Sequence, residues 1–179
     1  MPVSRVWYPR SRFGAWLTST TTNIALMEES VVQQVAKLAQ RAFDRKEIPV
    51  GAVIIDSRGR VIAQGYNRSH AKRDITEHAE IVALRQAFKK MGDWRLTGCT
   101  LVVNLEPCLM CLGAIANARL KKVIYFLADP SFGSAESKLT RAQLKKLFPR
   151  LIVEKIVDRG ETQALLQQFF SQLRSNRSS

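Results

Sequence analysis

The spacing of hydrophobic residues changes several times along the chain, and these changes divide it into elements. Between Glu28 and Pro49 apolar residues recur every three or four positions, which predicts an amphipathic helix. Two β-rich runs follow over residues 50–56 and 60–66, and the polar residues between them predict a hairpin. A polar loop over residues 67–76 then leads into the next helix.

The rest of the chain alternates between helical and β-rich patterns. Helices are predicted at residues 77–92, from Pro107 onward, at 140–147 and at 162–173, and strands at 100–105, 122–127 and 151–157. A helix, a hairpin and then alternating helices and strands are typical of one α/β domain with a mixed sheet and helices on both faces. The sequence shows no internal repeat.

The first 26 residues lack this periodicity and are predicted to be a disordered extension, which leaves a single domain over residues 27–179. The extension is rich in Ser and Thr, and it carries three arginines and no acid. Such a composition also fits an organelle transit peptide, or a chain whose true start is Met27. Three cysteines, an odd number, argue against a disulfide framework and favour a reducing, cytoplasmic location.

The net charge of the chain indicates a class of binding partner. The chain has 28 Lys and Arg against 15 Asp and Glu, a formal net charge of +13, and residues 138–179 hold nine of these basic residues and three acids. Such an excess favours a polyanion, either nucleic acid or an anionic membrane surface. No apolar run approaches the roughly 20 residues that a membrane span needs. Many basic proteins bind nucleic acid only weakly, so the charge alone does not identify the partner.

The residues that carry chemistry lie at two predicted helix starts. His78 and Glu80 form a His-x-Glu motif, and about thirty residues later Pro107, Cys108 and Cys111 form a Pro-Cys-x-x-Cys motif. Zinc binds imidazole nitrogen and thiolate sulfur, and two cysteines with this spacing reach one metal from a single helical turn. The N–H groups of a helix start also favour the thiolate form. We expect one zinc ion per chain, held by His78, Cys108 and Cys111.

The number of ligands separates a catalytic zinc site from a structural one. A structural site usually has four protein ligands, whereas a catalytic site has three and a water. The other soft candidates are Cys99, which we expect to be a small buried residue, and His70, which we expect to belong to the polar loop. Three ligands leave a position where zinc activates a water.

Glu80 is the expected proton carrier. A carboxylate beside the metal, but not bound to it, takes a proton from the water and gives it to the leaving ammonia. By itself, Glu80 would be better explained as a charge that complements the helix N-terminus. Together with the cysteine pair, however, the His-x-Glu motif matches the signature of zinc-dependent nucleobase deaminases.

Beyond these motifs, the chain resembles the bacterial tRNA-specific adenosine deaminases of the cytidine deaminase superfamily, from about Ala36 to Arg174. The likeness is carried by residues 47–54, 65–68, 78–86, 105–115, 164–166 and 169–170. It implies a three-layer α/β/α sandwich with a central mixed sheet, and a homodimer. It also implies hydrolytic deamination of adenosine to inosine at the wobble position of tRNA, by a zinc-activated water.

The same resemblance implies that Asn67 and Asp129 bind the substrate. The counterpart of Asn67 hydrogen-bonds the flipped nucleotide, a role that suits a side-chain amide because it both donates and accepts. From the residues alone, a role in stabilising the turn after a strand explains Asn67 better. Asp129 and Gly133 are retained from the family in the segment after the fourth strand.

The chain departs from the family at four positions that we expect to touch the substrate rim and not the metal. Basic residues are common in the family at the positions of Ala128 and Ser131, a smaller hydroxyl residue at Asn104, and a proline at Ser69.

Two other functions remain open at this point. One is a deaminase of a free base or nucleotide such as cytosine or guanine, which would not need the basic C-terminal segment. The other is a non-enzymatic zinc module that binds nucleic acid, which predicts a fourth protein ligand and no need for Glu80. In the last helix we expect one of Phe169 and Phe170 to pack in the core and the other to face RNA.

Overall fold

The structure is a computed structural model that describes residues 20–158 and 160–175, with side chains from Glu29 onward. The elements run in the order α1 (Thr20–Asp44), β1 (Gly51–Ile55), β2 (Val61–Tyr66), α2 (Ser69–Lys72), α3 (Ala79–Met91), β3 (Thr100–Leu105), α4 (Leu109–Asn117), β4 (Lys122–Leu127), α5 (Arg141–Leu147), β5 (Ile152–Lys155) and α6 (Glu161–Ser175).

Each helix and strand predicted from the sequence has a counterpart in the structure. The first helix begins earlier than predicted, at Thr20 instead of Glu28. Residues 1–19 of the predicted extension lie outside the described residues, and the boundary at residue 27 stays a prediction. The element that the sequence did not predict is α2, a single turn inside the polar loop, which is too short for apolar spacing to reveal.

The strands form one mixed sheet in the order β2-β1-β3-β4-β5. β1 is antiparallel to both β2 and β3, whereas β3, β4 and β5 are parallel to one another. In the part of the chain that the structure describes, no helix is both long and apolar enough to cross a membrane.

Successive side chains of the central strands enter two separate hydrophobic layers, as the two-residue period of a strand requires. On β1, Ala52 and Ile54 face the layer that contains Leu84 of α3 and Ile115 of α4. Val53, between them, faces the layer formed with α1. With helices on both faces of the sheet, the predicted three-layer α/β/α sandwich is confirmed.

Helix α3 lies unusually close to the sheet because β2 carries a glycine under it. A Cβ atom added at Gly65 would lie 2.3 Å from the carbonyl oxygen of Ala79 and 2.7 Å from the backbone nitrogen of Ala83. Any larger side chain would therefore push away the first turn of α3, which follows His78 directly.

The loop between β4 and α5 is held by one buried carboxylate. Glu106 accepts hydrogen bonds from the backbone N–H groups of Asp129, Ala135, Glu136 and Ser137, at 2.7–2.9 Å, and from the Ser137 hydroxyl. Burial opposes ionisation of Glu106, but these donors together hold the pKa of its carboxyl below the usual value. The loop therefore closes around a charge.

This loop is also attached to the start of α4. Gly133 pairs with Cys108 in an isolated antiparallel bridge, and the Ser134 N–H donates to the Pro107 carbonyl at 2.9 Å. A Cβ atom at Gly133 would lie 2.3 Å from a carboxylate oxygen of Glu106, so the loop needs a glycine there.

We expect Glu106→Gln to lower the free energy of unfolding by more than about 2 kcal/mol, since each buried donor left without an acceptor costs about 1–3 kcal/mol. Denaturant unfolding at pH 7 measures the change. Glu136→Gln is the control, because Glu136 is an exposed partner of Lys155 and such pairs contribute at most about 1 kcal/mol.

The same comparison has a pH dependence. A depressed folded-state pKa stabilises the protein above the unfolded-state pKa of Glu106, and this stabilisation is lost as the pH falls through the folded-state pKa. The gap between wild type and Glu106→Gln should therefore narrow below about pH 4.3, the ordinary pKa of a glutamate. Equal stabilities at pH 7 would contradict a bracing role for this charge.

Candidate metal centre and active site

The residues of both motifs lie where two helices begin at the same edge of the sheet. His78 is the N-cap residue of α3 and Cys108 is the N-cap residue of α4. Both have extended backbone conformations, and neither side chain caps its own helix. The imidazole and the thiol therefore face each other across the gap between the two helix starts.

The distances fit a tetrahedral metal ion. His78 Nδ1 lies 3.5 Å from Cys111 Sγ and 3.7 Å from Cys108 Sγ, and the three ligand atoms all lie within 4.8 Å of one another. Zn–N and Zn–S bonds of about 2.0 and 2.3 Å at a tetrahedral angle imply a nitrogen–sulfur separation of about 3.5 Å. In the described part of the chain, no other three His, Cys, Asp or Glu side chains form such a group.

The electrostatics of the group also suit a cation. A hydrogen bond from the Cys111 thiol lowers the pKa of Cys108 to about 4, and the same bond raises the pKa of Cys111. The hydrogen bond with Cys108 raises the pKa of His78. These hydrogen bonds favour a thiolate at Cys108, and a divalent cation would replace the protons that stabilise it.

Glu80 lies beside this group, on the first turn of α3. Its side chain is only 4% exposed, and burial raises the pKa of its carboxyl above the usual range. The backbone N–H of Glu80 itself acts in the opposite direction and lowers this pKa. A carboxylate that only complements a helix N-terminus needs no burial, so the position of Glu80 favours a role at the site over that simpler explanation.

Asn67 is held by a second buried carboxylate. Its Nδ2 donates to Glu47 at 3.3 Å, and its Oδ1 accepts from the Ser69 hydroxyl at 3.0 Å. Glu47 is fully buried and also accepts from the backbone N–H groups of His70 and Ala71. The orientation of the Asn67 amide is therefore fixed, and Ser69 makes a contact that proline would not make.

A third buried acid, Glu77, precedes His78. Its carboxylate pairs with Arg68, in the loop after β2, and with Arg85, on α3. The Arg68 N–H also donates to the Glu77 carbonyl at 3.1 Å. These contacts tie the loop to α3 directly beside His78.

Asp129 is half-buried, and its carboxylate shapes its own loop. Oδ1 accepts from the backbone N–H groups of Ser131 at 2.9 Å and Phe132 at 3.3 Å. Cys99 is buried and lies outside the metal group, as predicted. His70 is exposed in α2.

The expectation that Asn104 touches the substrate rim is wrong. Asn104 is buried on β3, where its Oδ1 accepts from the Gly51 N–H and its Nδ2 donates to the Pro49 carbonyl, both at 2.9 Å. Its amide braces the segment that enters β1. A polar residue inside an apolar strand was the available signal, because such a residue needs a buried partner.

The sequence analysis missed three buried acids whose hydrogen bonds and ion pairs hold the loops near the site. These bracing acids are Glu47, Glu77 and Glu106. All three stand next to apolar runs or motif residues, but their partners are up to 31 residues away in the chain. Spacing along the sequence does not reveal such pairs.

Comparisons with known proteins agree with this geometry. The profile of the MafB19-like deaminases matches residues 27–174. A tRNA-specific adenosine deaminase of Streptococcus pyogenes serotype M18 is 35% identical over 146 residues, which cover 82% of this chain and 91% of that protein. A tRNA(Ile)-lysidine synthase of Deinococcus deserti is 50% identical over 97 residues, 54% of this chain, but the match spans only 18% of that longer protein.

Solved structures give the same fold. One comes from a study of A-to-I editing by tRNA:A34 deaminases at the wobble position of transfer RNA. It matches with a TM-score of 0.70 and 34% identity, over 77% of this chain and 99% of that one. A guanine deaminase from Nitrosomonas europaea matches with a TM-score of 0.69 at 24% identity, over 80% of this chain and 84% of that one, a likeness of fold alone. The family resemblance predicted from the sequence is confirmed: this chain belongs to the deaminase family of the tRNA-specific adenosine deaminases.

Proposed function

We propose that the protein is a zinc-dependent hydrolase that converts adenosine to inosine at the wobble position of tRNA. The observation that carries this proposal is the group of three ligands, His78, Cys108 and Cys111, with the buried carboxyl of Glu80 beside it. A fourth protein ligand would favour a structural site, and the described residues bring none to the group. Family membership supports deamination, and the relatives named for tRNA support the substrate.

His78, Cys108 and Cys111 would hold one zinc ion per chain, because one imidazole and two thiolates form a donor set that zinc prefers. Bound there, zinc would supply a Lewis acid that makes water a nucleophile at neutral pH. The lowered pKa of Cys108 favours the thiolate, which is the form that binds zinc.

Glu80 would move the proton. Hydrolytic deamination replaces the amino group on the adenine ring with a carbonyl oxygen, so the attacking water gives up both of its protons. One goes to the ring nitrogen beside the reacting carbon, and one goes to the amino group, which leaves as ammonia. A carboxyl with a raised pKa holds a proton closer to neutral pH and can therefore both accept and donate one, whereas an ordinary glutamate is ionised there and has none to give. Glu80 would take each proton from the water and deliver it to one of these nitrogen atoms.

Asn67 and Asp129 would position the nucleotide. An enzyme reaches a base only when the base is outside a duplex, as in an anticodon loop, and reads its edge by hydrogen bonds. The contacts with Glu47 and Ser69 present the Asn67 amide in one orientation, which suits recognition of one edge. Asp129 would act from the loop that Glu106 braces.

The C-terminal helix would contact the anticodon arm. Phe169 is 5% exposed and packs edge-on against Phe43, whereas Phe170 is 43% exposed. Phe170 and Arg174 line a groove of about 350 Å³ together with Leu127 at the end of β4. An aromatic ring beside a basic side chain suits a base and its phosphate. Arg177 lies outside the described residues.

The chain would act as a cytoplasmic homodimer. The helical face formed by α3, α4 and α5 carries a groove of about 1090 Å³, lined by Ile81, Phe88, Trp94 and Leu147 among others. Trp94 and Leu147 are both more than half exposed. A second copy of the chain would cover these apolar side chains.

The two alternatives have less support. A deaminase of free bases shares this fold, as the Nitrosomonas europaea structure illustrates, so the fold does not separate the two substrates. The exposed Phe170 and the basic C-terminal segment favour RNA. A non-enzymatic zinc module gives no reason to bury Glu80 beside the ligands.

The direct test is inosine formation in an anticodon stem-loop with adenosine at the wobble position. We expect the wild type to form inosine there and not in a stem-loop with that adenosine moved into the stem. Glu80→Gln should keep its metal but lose about a hundred- to ten-thousand-fold in kcat, the usual contribution of a general acid–base group. Deamination of free guanine or cytosine, together with no inosine formation in the stem-loop, would contradict the proposed substrate.

Metal content tests the ligands separately. Purified wild type should contain one zinc per chain by elemental analysis, and Cys108→Ala and Cys111→Ala should contain little. Cys99→Ala serves as the matched control and should keep its zinc, because Cys99 lies outside the group. Full occupancy in both ligand variants would show that the ion is held elsewhere.

Truncation after Phe170 tests the RNA surface. It removes Arg174 and Arg177, so stem-loop binding should weaken and its salt dependence should become shallower, since fewer counterions are released. The zinc content should not change, and deamination at saturating RNA should fall less than binding. An unchanged affinity and salt slope would exclude the tail from the RNA site.

The mass of the protein in solution tests the proposed dimer, with one substitution in the apolar groove. We expect the wild type to have twice the chain mass in solution, and Trp94→Glu, which places a charge in the apolar groove, to be monomeric. Glu154→Gln, an exposed site on β5, is the control. A wild-type protein that is monomeric at assay concentrations would refute the homodimer.

A further inference from the structure

We propose that Phe132 is a stacking platform for an unpaired nucleobase that neighbours the reacting one. This inference deepens the proposed function and rests on an RNA substrate. It adds a contact surface that neither motif contains.

Phe132 is a large aromatic side chain that the fold leaves in solvent. It is 75% exposed, although its neighbour Gly133 is buried and pairs with Cys108, one of the three candidate ligands. Phe132 therefore stands one residue from a direct backbone contact with a candidate ligand. In the described structure, Phe132 belongs to neither hydrophobic core and contacts no other aromatic ring or guanidinium.

The backbone under this exposed ring is fixed. The Phe132 N–H donates to Asp129 Oδ1 at 3.3 Å, and the Phe132 carbonyl accepts from the Ser134 hydroxyl at 3.3 Å. The same loop closes around the buried Glu106 carboxylate through hydrogen bonds from both of its sides. A rigid loop lowers the entropy cost of ordering a contact, so Phe132 is prepared to bind.

The chemistry of the loop favours a base over a phosphate. Residues 128–134 contain no Lys or Arg, and their only charged side chain is Asp129. An aromatic ring without nearby cations in its loop offers a base a face to stack on, and such stacking tolerates any base. The cations that would hold the backbone come next in the chain, where Lys138 and Arg141 are exposed.

The test compares Phe132→Ala with Phe132→Tyr, which keeps the ring. We expect Phe132→Ala to weaken stem-loop binding by about 5- to 150-fold, the range that corresponds to loss of one stacked base. Phe132→Tyr should bind within about twofold of wild type. Val157→Ala is the control for loss of an exposed apolar side chain, because Val157 is 85% exposed and lies outside this loop. The salt dependence of Phe132→Ala should match wild type, because no phosphate contact is lost.

A spectroscopic readout separates this inference from the proposed function. Fluorescence of 2-aminopurine, placed next to the target position in the stem-loop, should be quenched on binding to the wild type and much less on binding to Phe132→Ala. This signal needs no turnover, whereas failure of the proposed function appears as absence of inosine with wild-type protein. Equal affinity and equal quenching in the two proteins would overturn the stacking role. A loss of binding in Phe132→Ala accompanied by a change from dimer to monomer would also overturn it, since Phe132 would then serve the contact between two copies.

Discussion

The approach of the first turns of α3 and α4 is the constraint on which the site depends. His78 and Cys108 each stand at an N-cap, and His78 Nδ1 meets both sulfurs at 3.5–3.7 Å only because the two helix starts lie side by side. Gly65 allows the first turn of α3 to lie against β2, and the Gly133–Cys108 bridge attaches the loop after β4 to the start of α4. The three candidate ligands come from segments that the packing of the domain already fixes.

Buried carboxylates have two different uses around this centre, and their partners separate them. Glu47 and Glu106 are surrounded by backbone N–H donors, and Glu77 pairs with two arginines. Glu80 lies against thiols instead, and burial raises the pKa of its carboxyl, whereas the donors around Glu106 lower the pKa of that residue. Hydrogen-bond donors favour the charged form of an acid, as they do at Glu106, while burial with few donors favours the protonated form, as it does at Glu80.

The sequence predicted most of the fold because the hydrophobic residues that form the core follow regular helix and strand spacings. The bounds of β3 and β4 match the predicted strands, since each is an apolar run between clear breaks. Contacts between distant residues could not be predicted in this way. The bracing acids and the buried Asn104 depend on partners that spacing does not reveal, and α2 is too short to show a spacing at all. Phe169 and Phe170 are adjacent in the sequence, so only the packing against Phe43 shows which one is buried.

The site, too, could be predicted where its residues form short motifs in the sequence. The residue types and spacings of the two motifs identify the three candidate ligands and Glu80, because metal chemistry restricts the choice. X-ray absorption at the zinc edge, on wild type and on Glu80→Gln, tests the arrangement most directly. The account predicts one nitrogen and two sulfur donors from the protein, with the same spectrum for both proteins because Glu80 is not a ligand. A third sulfur donor, or a change in the coordination shell on replacing Glu80, would contradict it.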